Sequence, residues 1–260
     1  MTTFAEVLGI RPTDDGGAVL AFPRELHGAF GGAFGGLLAA GIVHVARRSA
    51  EGREPAGIDC RFVRGLPAGD AVATCEVMHA GRSLTLVRVD LYDERGKLAT
   101  AATVSLADPS ALHALDVAGA AVAEPSDWRS WTMPAGVDIP IITTLAPRMA
   151  PLGDGAIATL VRMPWDDADG TWSAEAACVA GDFCVGPPVG LACEGTWLPH
   201  PNPDVAVRFA PHPGVGRDVV GVGRVTRMAR GLAVVDVEVS SGGVAFAAGV
   251  CTSMVLGGGA

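Results

Sequence analysis

Asp182 is the carboxylate in this chain whose surroundings could turn it into a base. It lies in residues 174–185, a stretch of Ala, Cys, Val, Gly and Phe in which Glu175 is the only other charged residue. A helix of that composition has to be enclosed. Enclosure disfavours the ionised carboxylate and raises its pKa toward the range where it can take a proton near neutral pH. The alternative is structural: near the helix end, Asp182 turns to solvent or bonds a neighbouring amide. A second feature is the run Gly28-Ala-Phe-Gly-Gly-Ala-Phe-Gly-Gly36, which leads into another apolar helix. Amides at a helix start can donate to an oxygen that gains negative charge, and Gly35 and Gly36 would let it approach. Tight packing of helix against sheet would use the same two glycines. His27, just ahead of the run, reads as a second acid/base group or as an ordinary loop histidine.

Other chemistries find no residues. The six cysteines (Cys60, Cys75, Cys178, Cys184, Cys193, Cys251) form no C-x-x-C pair, and no two of the six histidines stand four apart as in a helical zinc site, so neither a metal nor a cofactor is expected. Cys251 reads as a core thiol, since no cation accompanies it in sequence. A net charge of −9 without a basic cluster argues against nucleic acid as a partner, so an anionic ligand would have to be met by local cations. The longest apolar stretch, around residues 37–46, is too short and too interrupted by glycine to span a bilayer, and the first residues lack a basic segment followed by an apolar one. Reduced thiols and the absence of a leader pattern lead us to expect a cytoplasmic protein.

The elements that must hold these groups occur twice. Residues 70–91 overlay residues 218–239 without a gap: Asp70 on Asp218, Val72 on Val220, Arg82 on Arg230, Leu84 on Leu232, Val87 on Val235 and Val89 on Val237. Arg61-Phe62 meets Arg208-Phe209 after a shift of one. Such spacing indicates one ancestral domain duplicated and fused. In the first half a strand is predicted over 16–22, a buried helix over 37–48, and strands over 57–63, 70–79, 84–93 and 98–106. In 84–92, Thr85, Val87, Val89 and Leu91 form one face opposite Arg88, Asp90 and Tyr92, the alternation of an antiparallel strand with one wet face. Ala233, Val235, Val237 and Val239 repeat it. The second half should open with a strand over 156–163 and a helix over 173–184, N-capped by Ser173 after the acidic loop 166–169. The proline-rich residues 107–150, with the small-residue run 117–123, read as an extended crossover that Trp128, Trp131 and Met133 pin to a surface. The tail, residues 257–259, is expected to fray.

The expected fold class is α+β, with two fused domains, each an antiparallel sheet wrapped around a central helix. Their expected limits are 1–106 and 151–260, joined by the crossover 107–150. Only the second-half helix carries an acid within it, so one site per chain is expected, in a groove between that helix and Gly35-Gly36.

On these residues the chain resembles the double hot-dog acyl-CoA thioesterases of the thioesterase II type. The resemblance rests on Ala33-Phe-Gly-Gly36, Arg61-Phe-x-Arg-Gly65, Gly69-Asp70 and Gly81-Arg-Ser83, and on Gly181-Asp182, 202–209 and 250–254 in the second half. It implies hydrolysis of a fatty or aryl acyl-CoA thioester without a covalent enzyme intermediate, a place in lipid metabolism, and homo-oligomers paired through sheet edges. It further implies that a helix-borne Asp, a Ser or Thr opening the next strand and a Gln in the last strand hold one attacking water. Asp182 matches the first. The hydroxyl position falls at Asn202 and the Gln position at Cys251 or, one step on, Thr252. Asn202 can orient a water without relaying a proton, or it is a turn residue of Pro201-Asn-Pro-Asp204. Thr252 supplies the missing hydroxyl if it points inward. These departures keep a second reading open, an acyl-CoA-binding or scaffold protein that has lost turnover. An enoyl-CoA hydratase would need an Asp/His pair on a short loop; the one Asp-x-x-x-x-His spacing, Asp108–His113, falls at the start of the crossover and not beside the glycine run or the second-half helix.

Overall fold

The computed structural model describes residues 2–113, 125–166, 174–194, 198–210 and 216–257. The run 117–123, the Ser173 cap, the acidic loop beyond Asp166 and the tail beyond Gly257 lie outside them. The first half runs α1 (Phe4–Val7), β1 (Arg11–Pro12), β2 (Ala18–Phe22), α2 (Gly35–Arg47), β3 (Glu54–Phe62), β4 (Gly69–Ala80), β5 (Leu84–Tyr92) and β6 (Leu98–Ala107). The crossover contributes β7 (Arg129–Ser130), α3 (Pro140–Leu145) and β8 (Arg148–Gly153). The second half follows as β9 (Ala156–Arg162), α4 (Ala174–Phe183), α5 (Gly186–Ala192), β10 (Asp204–Phe209), β11 (Asp218–Ala229), β12 (Leu232–Ser241) and β13 (Val244–Met254).

These strands join one antiparallel sheet in the order β1-β2-β4-β5-β6-β3-β10-β13-β12-β11-β9-β8-β7. Read from the β3–β10 junction outward, β3-β6-β5-β4-β2 is answered by β10-β13-β12-β11-β9. The halves are therefore copies related by a pseudo-twofold, as the repeat predicts. A detail of register supports this: Met78 is the extra residue in the β4–β5 pairing and Thr226 in the β11–β12 pairing, at the 148-residue offset of the repeat. A bulge inherited with its strand is what duplication leaves behind. The fold is the expected double hot-dog.

Each sheet buries its inner face on a helix. Thr85, Val87, Val89 and Leu91 of β5 are buried, as are Ala233, Val235, Val237 and Val239 of β12, whose neighbours Asp236 and Glu238 are exposed. Ten of the thirteen residues of α2 and all ten of α4 are buried, which explains why neither helix has a polar face. Each Leu, Ile or Val so enclosed stabilises the fold by about 1.5–3 kcal/mol. The two helices also pack against each other across the halves, and small residues set how closely: a Cβ on Gly36 would stand 2.9 Å from Val179 Cα.

Some elements differ from expectation. Helix α2 begins at Gly35, so both glycines fall in its first turn. The crossover is not simply extended. Pro140 occupies the first turn of α3, where its missing N–H costs nothing, and Ile141, Ile142 and Leu145 give that helix a buried face. Strand β8 pairs with β9 from Arg148 onward. Trp131 and Met133 pack on the core, while Trp128 is only half-buried. Helix α1 is short but closed by a capping box, Thr3 bonding the Glu6 amide and Glu6 returning to Thr3.

Candidate active site

Asp182 lies in the last turn of α4 with 6% of its surface exposed. Its oxygens have partners from distant parts of the chain. Oδ2 accepts the Gly36 N–H at 2.8 Å, and Oδ1 accepts Nδ2 of Asn202 at 3.1 Å. Burial pushes the carboxyl up to about 6, and the hydrogen bonds from Asn202 and Gly36 pull it down only in part. A carboxylate has about four lone-pair sites, so two bonds leave room for a water proton. A carboxyl raised this far can take a proton near neutrality.

The two glycines divide the work. Gly36 gives its N–H to Asp182 and is therefore already engaged. Gly35, the first residue of α2, lines the cavity in front of the carboxylate, and its amide belongs to the set a helix leaves unbonded at its start. A Cβ at Gly35 would stand 3.0 Å from Asp182 Oδ2 and 2.8 Å from the Phe62 ring, so both helix packing and access to the carboxylate require glycine.

Asn202 precedes β10 instead of lying in it. The backbone ties its flanks to both halves: Phe62 N–H donates to the Pro203 carbonyl at 2.9 Å and Met254 N–H to the Pro201 carbonyl at 2.9 Å. With Nδ2 committed to Asp182, Asn202 Oδ1 is left buried without a partner. An unpaired buried acceptor beside a base calls for a donor, such as a water or a substrate group.

Thr252 is not brought to this cluster. It sits in β13 between Cys251 and Ser253, both fully buried, so its side chain points to the opposite, outer face. Only its backbone takes part nearby, its N–H donating to Asp204 Oδ1 at 2.7 Å. Cys251 faces inward, and burial pushes its thiol far up, so it is no thiolate nucleophile. His27 is buried with Nε2 3.4 Å from the Phe22 carbonyl and is not among the residues lining the cavity that holds Asp182.

Asp182, Gly35 and Asn202 line one cavity of about 350 Å³ between the halves. Its walls are apolar and aromatic, with Phe34 just before α2, Leu38 from α2, Phe62 from β3, Phe183 from α4, and Trp131, Ile139 and Ile142 from the crossover. Phe34 and Phe183 meet at 4.4 Å between ring centroids. Arg64 is the only arginine or lysine among the described lining residues. The crossover's share of the wall was missed in the sequence; the available signal was Ile139-Pro-Ile-Ile142, an apolar run with proline at a helix start.

At the opposite end of the helix pair, Glu175 of α4 has 4% of its surface exposed. Its Oε1 lies 3.3 Å from His44 Nδ1 and 3.3 Å from Arg47 Nη1. Burial pushes this carboxyl up, but the His44 hydrogen bond and the Arg47 charge outweigh it and hold it below the ordinary range. Among the described residues no group of His, Cys, Asp or Glu is arranged to hold a metal, and no helix is long and apolar enough to cross a membrane.

Residues 23–107 match the family model of the acyl-CoA thioesterase N-terminal domain. No curated protein matches the chain in sequence. Among solved structures, a Novosphingobium aromaticivorans protein described as a thioesterase is similar at TM-score 0.78 and 21% identity, over 95% of this chain and 98% of that one. A hot-dog-fold protein of Alicyclobacillus acidocaldarius follows at TM-score 0.77 and 19% identity, with both chains covered completely. The acyl-CoA thioesterase II of Mycobacterium marinum is similar at TM-score 0.73 and 16% identity over 98% of each chain. At such identities the likeness speaks for the fold, and the family match speaks for the first half. The chain is thus a double hot-dog protein whose first half matches the acyl-CoA thioesterase N-terminal domain.

Proposed function

We propose that this chain hydrolyses an acyl-CoA thioester to the free acid and CoA, with Asp182 as the base for an attacking water. The observation that carries the reading is the buried Asp182 carboxylate, raised to about 6 and held by two neutral donors at the wall of an apolar cavity. In this reading the water donates one hydrogen to Asp182 and the other to the unpartnered Asn202 Oδ1, which orients it toward the thioester carbon. As the water oxygen bonds that carbon, Asp182 takes its proton and the carbonyl oxygen gains charge in front of the Gly35 N–H. Collapse of the tetrahedral intermediate breaks the C–S bond, and the proton held by Asp182 goes to the departing sulfur. Arg64, at the cavity lining in a chain of net charge −9, is the local cation that would meet a CoA phosphate.

The test is release of free thiol from a panel of acyl-CoAs, run beside equilibrium binding of the same compounds. One site per chain with steady turnover is expected. Tight binding with no thiol release for any chain length would discard hydrolysis and leave an acyl-CoA-binding protein.

A further inference from the structure

We propose that Trp131, with Ile139 and Ile142, forms a partition that limits the site to medium-length acyl chains and that, once removed, admits longer ones. The inference rests on the thioesterase reading above and names the substrate class of that site.

The observation is a shared wall. These three side chains line the cavity that holds Asp182 and also line a second, half-open cavity of about 320 Å³, where Met133 and Val137 supply apolar wall and Ser130, Thr132, Asp138 and Thr143 polar wall. All three come from the crossover and not from either hot-dog sheet. Ile139 and Ile142 have 8% of their surface exposed, and α3 is fastened from outside: Ile141 N–H donates to the His27 carbonyl and Thr144 Oγ1 to the Glu25 carbonyl, both at 2.9 Å. Trp131 is held through its backbone, its N–H donating to the Pro147 carbonyl at 3.0 Å, and its ring meets Phe183 edge-on at 6.1 Å. Phe183 follows Asp182, so the partition stands one residue from the base.

Size gives the inference its direction. With a methylene taken as about the size of a water, ~30 Å³, the first cavity of about 350 Å³ holds a dozen or so such groups: a thioester and an acyl chain of about ten carbons. A longer chain has to meet the Trp131 ring. Beyond the ring, the second cavity offers space for roughly ten further groups by the same measure. Each methylene newly withdrawn from water is worth about fourfold in kcat/KM, so a few are enough to reorder a chain-length profile.

The experiment measures kcat/KM for saturated acyl-CoAs from about six to about sixteen carbons, a range that spans one cavity and then both. Wild type should peak near ten carbons and fall beyond. In Trp131→Ala the ratio of the longest to the ten-carbon substrate should rise at least about tenfold. Adding Thr143→Trp, which refills the second cavity, should reverse that gain. Should Trp131→Ala fail to fold, Ile142→Ala opens the same wall from α3 and should shift the profile in the same direction. A folded, active variant with an unshifted profile, or a shift that Thr143→Trp does not reverse, overturns the partition while leaving hydrolysis standing. If wild type hydrolyses no acyl-CoA at all, the hydrolytic reading is what fails. The partition is then read from displacement of bound anilinonaphthalene sulfonate by free fatty acids of the same lengths, where an optimum unchanged by Trp131→Ala overturns it.

Discussion

The two ends of the α2–α4 helix pair are copies of one ancestral arrangement, and they treat a buried carboxylate in opposite ways. At one end Asp182 of α4 meets the start of α2 and finds only neutral donors, the Gly36 amide and the Asn202 side chain. At the other, Glu175 of α4 meets the end of α2 and finds His44 and Arg47. Burial acts on both, yet the first carboxyl rises to about 6 and the second falls below its ordinary range. The second end is also covered. Phe4 of α1 lies against His44 at 5.5 Å and edge-on to Trp165 at 4.9 Å, and Trp165 is 2% exposed. A carboxylate compensated by a cation and further hydrogen bonds is stable and unreactive, whereas one compensated by neutral dipoles alone stays eager for a proton. On the proposed function, the Asp182 end is the one left available for chemistry, while the Glu175 end ties the two halves together.

Asp182→Asn should break the comparison most strongly. The base is lost, and turnover should fall by about 10²-fold or more. Wild-type kcat/KM should rise with pH through about 6 as Asp182 ionises and stay level above it. Stability should move the other way. An acid raised on folding binds more protons folded than unfolded between its ordinary value and about 6, so ionised Asp182 lowers stability as pH rises across that window. Its removal should raise stability by about 2–3 kcal/mol near pH 8 and by much less near pH 4. Initial rates and denaturant melts at both pH values measure this; a slower, less stable protein at pH 8 would contradict the strained-base account.

Asn202→Ala comes next. The water loses its acceptor and Asp182 loses a hydrogen bond that lowers its pKa, so turnover should drop about tenfold and the midpoint of the pH–rate curve should move upward. Asn202→Thr, which keeps an oxygen there, should recover most of the rate. A drop in melting temperature with unchanged kinetics would return Asn202 to the role of a turn residue.

At the stapled end, Glu175→Gln should leave turnover within about twofold and cost about 2 kcal/mol of stability, the scale of a lost charge-assisted hydrogen bond. Arg47 retains Glu54 at 3.2 Å, which limits the loss. The sign with pH is the reverse of that for Asp182. A carboxyl lowered on folding contributes above its unfolded pKa and ceases to contribute as pH falls through its folded value, so the variant and wild type should converge in acid. Melts near neutrality and in acid check this, and a large loss of turnover would mean that the two ends are not independent.

What the sequence made legible follows from periodicity and from composition. Alternation in β5 and β12 and the offset of 148 residues specified the sheets and the doubling, and an acid late in an otherwise apolar helix pointed to Asp182. Contacts made only by long-range folding stayed hidden. Nothing local says that the Gly36 N–H is taken by a carboxylate 146 residues away, that Glu175 meets Arg47 and His44, 128 and 131 residues earlier, or that Pro140 begins a helix whose isoleucines wall the cavity. Asn202 was legible as a residue type at a position, and its orphaned Oδ1 was not.

The smallest effect is expected at Thr252, where strand parity decides. A strand sends successive side chains to opposite faces, so the burial of Cys251 and Ser253 commits Thr252 to the outer face, where its β12 neighbour Val234 is 40% exposed. Its link toward the site is a backbone N–H to Asp204, and Asp204 in turn pairs with Arg61 across the junction of the halves. Thr252→Ala removes the hydroxyl but keeps that N–H and the inward faces of Cys251 and Ser253. Turnover should stay within about twofold and stability within about 0.5 kcal/mol, the usual range for a surface change. Thr252→Pro, which deletes the N–H, should destabilise the junction and reduce turnover through it. If the alanine variant alone lost tenfold or more, the hydroxyl would have to reach the reacting water, and β13 would have to present its other face to the cavity.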